Sequence, residues 1–266
     1  MKYLIPNADD FGYTRDVNAG IVHAHRQGIL TATTLMANGA AFDHAVALAR
    51  ENPGLDVGVH LVLVGGPGLP PSVASLMAEI ARGRILIYDE LSAQVRKVLA
   101  AGLQPSHLDT HKHTHLLPPV LDAVARIASE FQIPWVRRPF DYPLNVGSVP
   151  WRRRMVSRGL GFARARFHRV LQRHGCRTTD HFAGFQITGH YGAAELARLI
   201  RELPDGVTEF MCHPGFCTEE LRAAPTRLKE SRQRELDALT SDEVRAAVEQ
   251  SGVELTSYRD LIPAEG

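Results

Sequence analysis

Four histidines and an aspartate fall within ten residues, in Ser106-His-Leu-Asp-Thr-His-Lys-His-Thr-His115, and imidazole is the commonest metal-binding side chain. In an extended strand His107, Asp109, His111, His113 and His115 share one face, because side chains alternate with period two. In a helix His111 and His115 still share a face, at i and i+4. Either conformation makes imidazoles converge, so the stretch reads as a metal or acid–base site more readily than as a solvated loop. Three other places carry matching chemistry. Asp9 and Asp10 end an apolar segment, where a turn would let both carboxylates reach one cavity, one to hold a metal and the other free as a base. Taken alone, the pair also suits a helix N-terminus. His60 lies inside the apolar run Val57-Gly-Val-His-Leu-Val62, and a buried imidazole needs a partner. His213 precedes Pro214-Gly215 and is either an ordinary turn histidine or a proton donor.

The elements that must position these residues alternate along the chain. Residues 3 to 8 predict a buried strand, and Val17, Ile21 and Ala24 a helix ending near Gly28. Thr31 to Ala37 is rich in β-branched residues and predicts a strand. A helix follows around Val46, and Asp56 to Val64 is a nearly continuous apolar strand, typical of parallel sheets covered on both faces. Helices are expected at 73 to 82 and 89 to 101, and Pro118-Pro119 is placed to start another. Ile133 to Arg137, Phe182 to Ile187, Val207 to Cys212 and Val253 to Ser257 predict strands, with helices at 193 to 203 and 231 to 250. The pattern predicts one α/β domain over residues 1 to 266. Asp9-Asp10, the histidine stretch, Arg137-Arg138 and His213 all sit at C-terminal strand ends. A TIM-like (β/α) barrel, complete or distorted, gathers such ends around one mouth.

The bulk properties narrow the partners. A net charge of +1 argues against nucleic acid, which would require a strong basic excess. No apolar run approaches the roughly 20 residues of a membrane span, so no integral segment is expected. The N-terminus turns polar too early for a signal peptide, and three scattered cysteines suggest neither a disulfide framework nor a zinc ribbon. A cytoplasmic protein, assembled as a homo-oligomer such as a dimer, is the expectation.

Taken together, Asn7-Ala-Asp-Asp-Phe-Gly12, Asn18-Ala-Gly-Ile21, Thr33-Thr-Leu-Met-Ala-Asn-Gly39, Val59-His-Leu61, the histidine stretch and His213-Pro-Gly215 resemble the YdjC-like family. That family includes chitooligosaccharide deacetylases (ChbG) and hopanoid-associated deacetylases (HpnK). The resemblance implies metal-dependent removal of an N-acetyl group from an amino sugar, with one divalent ion, Zn2+ or Mg2+. It implies Asp10, His60 and His111 as ligands, Asp9 as base and His213 as acid; the spacing of His115 from His111 makes His115 a candidate replacement ligand. Chemically the set is coherent. Two imidazoles and a carboxylate leave coordination positions open, and a protonated His213 would supply the departing amine. Asp109 would fix a ligand's tautomer, and a backbone N–H near the turn after Asp10 would meet the oxyanion.

Arg138, closing a strand beside the mouth, is expected either to bind substrate or to orient the base. The segment from Trp151 to Arg177 is rich in arginine. It reads as an amphipathic helix with a solvated basic face, or as a peripheral contact with an anionic or lipid-linked substrate. Two other functions stay open from sequence: a two-metal hydrolase of another bond such as a phosphoester, and a non-catalytic sugar-binding protein.

Overall fold

In the computed structural model, which describes residues 1–144 and 163–261, strands and helices alternate as the periodicity predicts. The strands are β1 (Lys2–Phe11), β2 (Ala32–Leu35), β3 (Asp56–Leu61), β4 (His107–Thr110), β5 (Trp135–Val136), β6 (His181–Ala183), β7 (Gly206–Cys212) and β8 (Val253–Leu255). The helices are α1 (Arg15–Gln27), α2 (Phe42–Glu51), α3 (Val73–Ala81), α4 (Ile87–Ala100) and α5 (Pro118–Glu130). They continue with α6 (Arg164–Arg173), α7 (Ala193–Arg201), α8 (Glu219–Ala223), α9 (Glu230–Leu239) and α10 (Asp242–Gln250).

Every ladder is parallel, in the order β5-β4-β3-β2-β1-β7-β6, with β8 also paired to β1. The sheet curls into a half-barrel packed round by helices, the expected TIM-like barrel in distorted form. β5 and β6 share no ladder; the Tyr142 N–H reaches the Phe182 carbonyl at 3.1 Å across the seam. Leu108, Val59, Leu4 and Phe210 are buried with Val120, Val124, Leu196 and Ile200 from the helices, so the apolar core surrounds the sheet. The enclosed face is polar. His107 and Asp109 alternate with Leu108, and their neighbours include Asn7, Thr34, His60 and Glu209, all at most 1% exposed.

Local signals set most boundaries. Thr14 caps α1 by accepting from the Val17 N–H at 3.2 Å. Pro118 and Pro119 open α5, where a missing N–H costs little. The single helix expected over 231–250 is two, because Ser241 accepts from the Val244 N–H at 3.2 Å and starts a new N-terminus. The strand expected at 182–187 stops at Ala183. There Gly184 takes φ +132°, and the N–H groups of Phe185 and Gln186 turn to the Asp141 carboxylate at 3.2 and 2.8 Å. Of the arginine-rich segment, residues 151–162 lie outside the described residues. In α6 Phe167, Val170 and Leu171 are buried, so its apolar stripe belongs to the core. Among the described residues no helix is long and apolar enough to cross a membrane.

Candidate metal centre

The histidine stretch divides after Thr110. β4 ends at Thr110, and a 3₁₀ turn over His111–Leu116 follows, with Lys112 and His113 in the left-handed region at φ 55° and 52°. Period-two alternation therefore holds only for His107 and Asp109, and the other histidines go separate ways. His111 turns to the mouth. His115 is fully buried and spent: its Nδ1 meets Thr110 Oγ1 at 2.6 Å and its Nε2 the Arg137 carbonyl at 3.1 Å. The expectation of His115 as a replacement ligand is therefore corrected, because both ring nitrogens already have partners. His107 is likewise held by Ser106 Oγ (2.7 Å) and Asn7 Nδ2 (3.1 Å) and stacks on Tyr258. Gly58 makes room for it, since a Cβ there would lie 2.5 Å from the His107 carbonyl oxygen. His113 packs edge-on against Phe182 and lines the mouth.

Asp10, His60 and His111 come together from β1, β3 and the turn after β4. His60 Nε2 lies 3.2 Å from His111 Nδ1 and 3.4 Å from Asp10 Oδ1, and His111 Nδ1 lies 3.3 Å from Asp10 Oδ1. Asp10 is held at φ 69°, a conformation that non-glycine residues rarely adopt and that concentrates at functional sites. The loop after it is fixed by Asn18, whose Oδ1 accepts from the Gly12 N–H at 2.6 Å. His60 Nδ1 is 2.7 Å from Asp109 Oδ1. A carboxylate only accepts, so Nδ1 carries a proton, and a metal that displaced the proton on Nε2 would find that nitrogen's lone pair aimed at the centre.

These residues fit a metal. With bonds of about 2.0–2.1 Å, the edges of a tetrahedral site are about 3.3 Å, and the three observed separations bracket that length. Asp10 Oδ1 is buried without a conventional hydrogen bond, as a ligand oxygen would be. The electrostatics agree. Burial opposes charge on His60, yet Asp109 and Asp10 raise its pKa to about 10, so the spot attracts a cation even when a proton is the only one available. Burial alone would raise the Asp10 carboxyl, but Arg232 and the two histidines hold it well below the carboxylate range.

Asp9 lies beside this triangle, and the residue that binds it was missed from sequence. Arg137, fully buried, donates from Nη1 and Nη2 to Asp9 Oδ2 and Oδ1 at 2.9 and 2.6 Å. Its Nε donates to Glu209 Oε1 at 2.7 Å, and Nη1 also pairs with Asp109. Burial raises the Asp9 carboxyl above its ordinary value against the pull of Arg137, which suits a base. A second group of donors, Asp9, His60 and Asp109, is close enough for a metal, but Arg137 already supplies the cation there. Arg138, by contrast, donates to the Thr179 carbonyl at 3.5 Å and to that of Asp180, outside the residues that line the mouth. The guanidinium that orients Asp9 is thus its neighbour's.

His213 follows β7, where Gly20 lets α1 approach: a Cβ there would lie 2.5 Å from the Gly215 Cα. Its N–H donates to Glu235 Oε2 at 2.6 Å, and its Nε2 stands 3.8 Å from Asp9 Oδ2. Burial lowers its pKa to about 4, so the resting imidazole is neutral. To act as the acid that the resemblance implies, His213 must therefore take up its proton during the reaction. Asp9, Asp10, His111 and His213 line one cavity of ≈ 530 Å3, together with Tyr13 and Arg232.

The buried histidines of the floor make stability depend on pH. Burial depresses both His107 and His115 to about 4, below the 6.5 of an exposed imidazole. The unfolded chain therefore takes up these protons first, and stability falls as pH drops from about 6.5 toward 4. At about 1.4 kcal/mol per pH unit and site, urea unfolding of His115→Gln should lose about 2 kcal/mol less than wild type between pH 7 and 5. Equal losses would mean that His115 does not titrate in this window.

The family model described as YdjC-like protein matches residues 3–250. A carbohydrate deacetylase of Brevibacillus brevis is 34% identical over 97% of this chain and 99% of its own. One from Clostridium beijerinckii is 31% identical over 97% and 99%. A crystal structure from Enterococcus faecalis, assigned to cellobiose-phosphate cleavage, superposes with TM-score 0.77 at 29% identity, covering 98% of both chains. A lactam utilization protein from Thermus thermophilus shares the fold at TM-score 0.50 and 16% identity, covering 97% of this chain and 100% of its own.

Proposed function

Because the chain belongs to the YdjC-like family, we propose that it is a metal-dependent carbohydrate deacetylase that hydrolyses the N-acetyl group of an amino sugar. The observation that supports this most directly is the triangle of Asp10 Oδ1, His60 Nε2 and His111 Nδ1, with sides of 3.2–3.4 Å, beside the carboxylate of Asp9. Two nitrogens and one oxygen at tetrahedral spacing favour zinc over magnesium, which prefers oxygen donors in octahedral array. A divalent ion held there would polarise the acetyl carbonyl and bring the pKa of a water toward neutrality.

The chain's own groups would do the rest. Asp9 removes a proton from the attacking water, with Arg137 fixing the carboxylate's orientation. The water oxygen bonds to the acetyl carbon, and the carbon–nitrogen bond then breaks. His213, neutral at rest, enters the cycle as an acceptor. Its Nε2 and Asp9 Oδ2 are 3.8 Å apart, a gap that one intervening polar group can bridge, so the proton taken by Asp9 passes to His213 and on to the departing amine. The products are the free amino sugar and acetate.

Acetate release from N-acetylglucosamine oligomers, with metal content measured in parallel, tests this reading. Asp9→Asn should retain its metal and lose turnover by about 10²–10⁴-fold, the range of general-base catalysis. Near-normal turnover in a folded Asp9→Asn would place the base elsewhere. Two bound ions per chain would favour the phosphoester alternative instead.

A further inference from the structure

Attack on an acetamide turns its carbonyl oxygen into an oxyanion, and a donor fixed beside that oxygen is worth a large share of catalysis. The backbone groups expected for this task are engaged. The Gly12 N–H donates to Asn18 Oδ1 at 2.6 Å, and the Tyr13 N–H donates to the Asp10 carbonyl at 3.0 Å. A side chain in the wall of the same cavity is better placed. Arg232, in the first turn of α9, is only 2% exposed and hydrogen-bonds Asp10 Oδ2 through Nη2. Its Nε and Nη1 are buried and have no partner among the described residues.

That arrangement is expensive for a structural ion pair. A buried guanidinium that leaves donors unmade forfeits their hydration. Arg137 offers the contrast, since all three of its nitrogens meet carboxylates. Arg232 is also held in place. Its carbonyl accepts from the Gly215 N–H at 3.2 Å, a Cβ on Gly215 would lie 3.3 Å from its Cδ, and its guanidinium lies 5.9 Å from the centre of the Tyr13 ring. The guanidinium is thus set into the cavity wall and not in solvent.

The geometry points to Arg232 as a further catalytic residue: one amino group steadies the outer oxygen of Asp10 while the other receives the acetyl oxygen as it becomes negative. This role rests on the deacetylase reading above. It also makes the centre a receptor for acetate, whose oxygens resemble the oxyanion in charge.

Zinc-loaded wild type and Arg232→Gln would be compared in three measurements: zinc content, steady-state kinetics on an N-acetylglucosamine oligomer, and calorimetric titration with sodium acetate. The expected variant keeps one zinc per chain, loses kcat by about 10²–10³-fold, as for removal of an oxyanion donor, and holds KM within about threefold. Its acetate affinity falls at least tenfold. Three results would overturn the proposal: kcat within threefold of wild type, unchanged acetate affinity, or a rate restored by saturating zinc, which would mean that Arg232 serves Asp10 alone. If Arg232→Gln does not fold, Arg232→Lys is read in the same assays, since it keeps the charge but lacks the two separate amino groups of the guanidinium fork. Should wild type release no acetate from any acetylated sugar, the deacetylase reading fails separately. In that case the oxyanion role falls with it, and the acetate titration reports only whether Arg232 binds a carboxylate at the centre.

Discussion

His60→Ala is expected to lose its bound metal and, with it, activity down to the background of the assay. His60 supplies one corner of the donor triangle, and Asp109 holds its tautomer at 2.7 Å, so its removal takes out a ligand and frees a buried carboxylate. Lowering the pKa of water from about 15.7 to about 7 changes hydroxide at neutral pH by roughly eight orders of magnitude, so loss of the ion dominates any other effect of the substitution. Two neighbouring changes grade the result. Asp109→Asn, which removes the charge beside a ligand and also weakens the pair with Arg137, should weaken metal binding by about 10–100-fold. His115→Gln, equally buried in the same stretch, should keep stoichiometric metal. Metal content by mass spectrometry checks all three, and a His60→Ala protein that retains one ion per chain would remove His60 from the ligand set.

Arg137→Met is expected to be the most damaging substitution to stability. It leaves Asp9, Asp109 and Glu209 buried without their shared cation. Breaking one buried pair from one side costs about 3–5 kcal/mol, and here three carboxylates lose one partner. At roughly 2–4 °C per kcal/mol for a chain of this size, the melting temperature should fall by about 10 °C or more. The deficit should also shrink in acid. A buried, unpaired carboxylate has a folded-state pKa above its unfolded value, so the stability it allows is present at low pH and lost as pH rises. A melting temperature within about 3 °C of wild type at pH 7.5 would show that the three acids do not depend on Arg137.

Much of this architecture was legible in the chain. Alternating strands and helices placed Asp9, Asp10, the histidine stretch and His213 at one end of a parallel sheet, whereas His60 was expected inside a strand. β3 stops at Leu61, which brings His60 to that end as well. A lone histidine inside an apolar strand signalled a buried partner, and that partner is Asp109, from the next strand in register. Glu209 carries the same signal, a charge inside the apolar β7. The choice between Arg137 and Arg138 could not be made from composition. β5 has only two residues, so the face on which each arginine emerges depends on register with β4, where Leu108 pairs with Val136. Continuing that register by one sets Arg137 beside Asp109. Arg232 was hidden for a different reason. A single helix over 231–250 offers no cue that one arginine of its first turn faces inward, because helical periodicity marks apolar stripes and not a buried charge.

The ion pairs of the centre join residues far apart in sequence. Arg137 and Asp9 are 128 positions apart, and Arg232 and Asp10 are 222 apart. Closing loops of that length is slow and comes late in folding. Until the sheet is assembled, its carboxylates have no buried cation to meet, and water is their better environment. The polar interior therefore disfavours partly assembled sheets and favours only the complete arrangement. Since the donor triangle exists only in that arrangement, a bound ion draws the folding equilibrium toward it by mass action. If the centre holds an ion as proposed, metal supply would add to the stability of the fold as well as to the reaction rate.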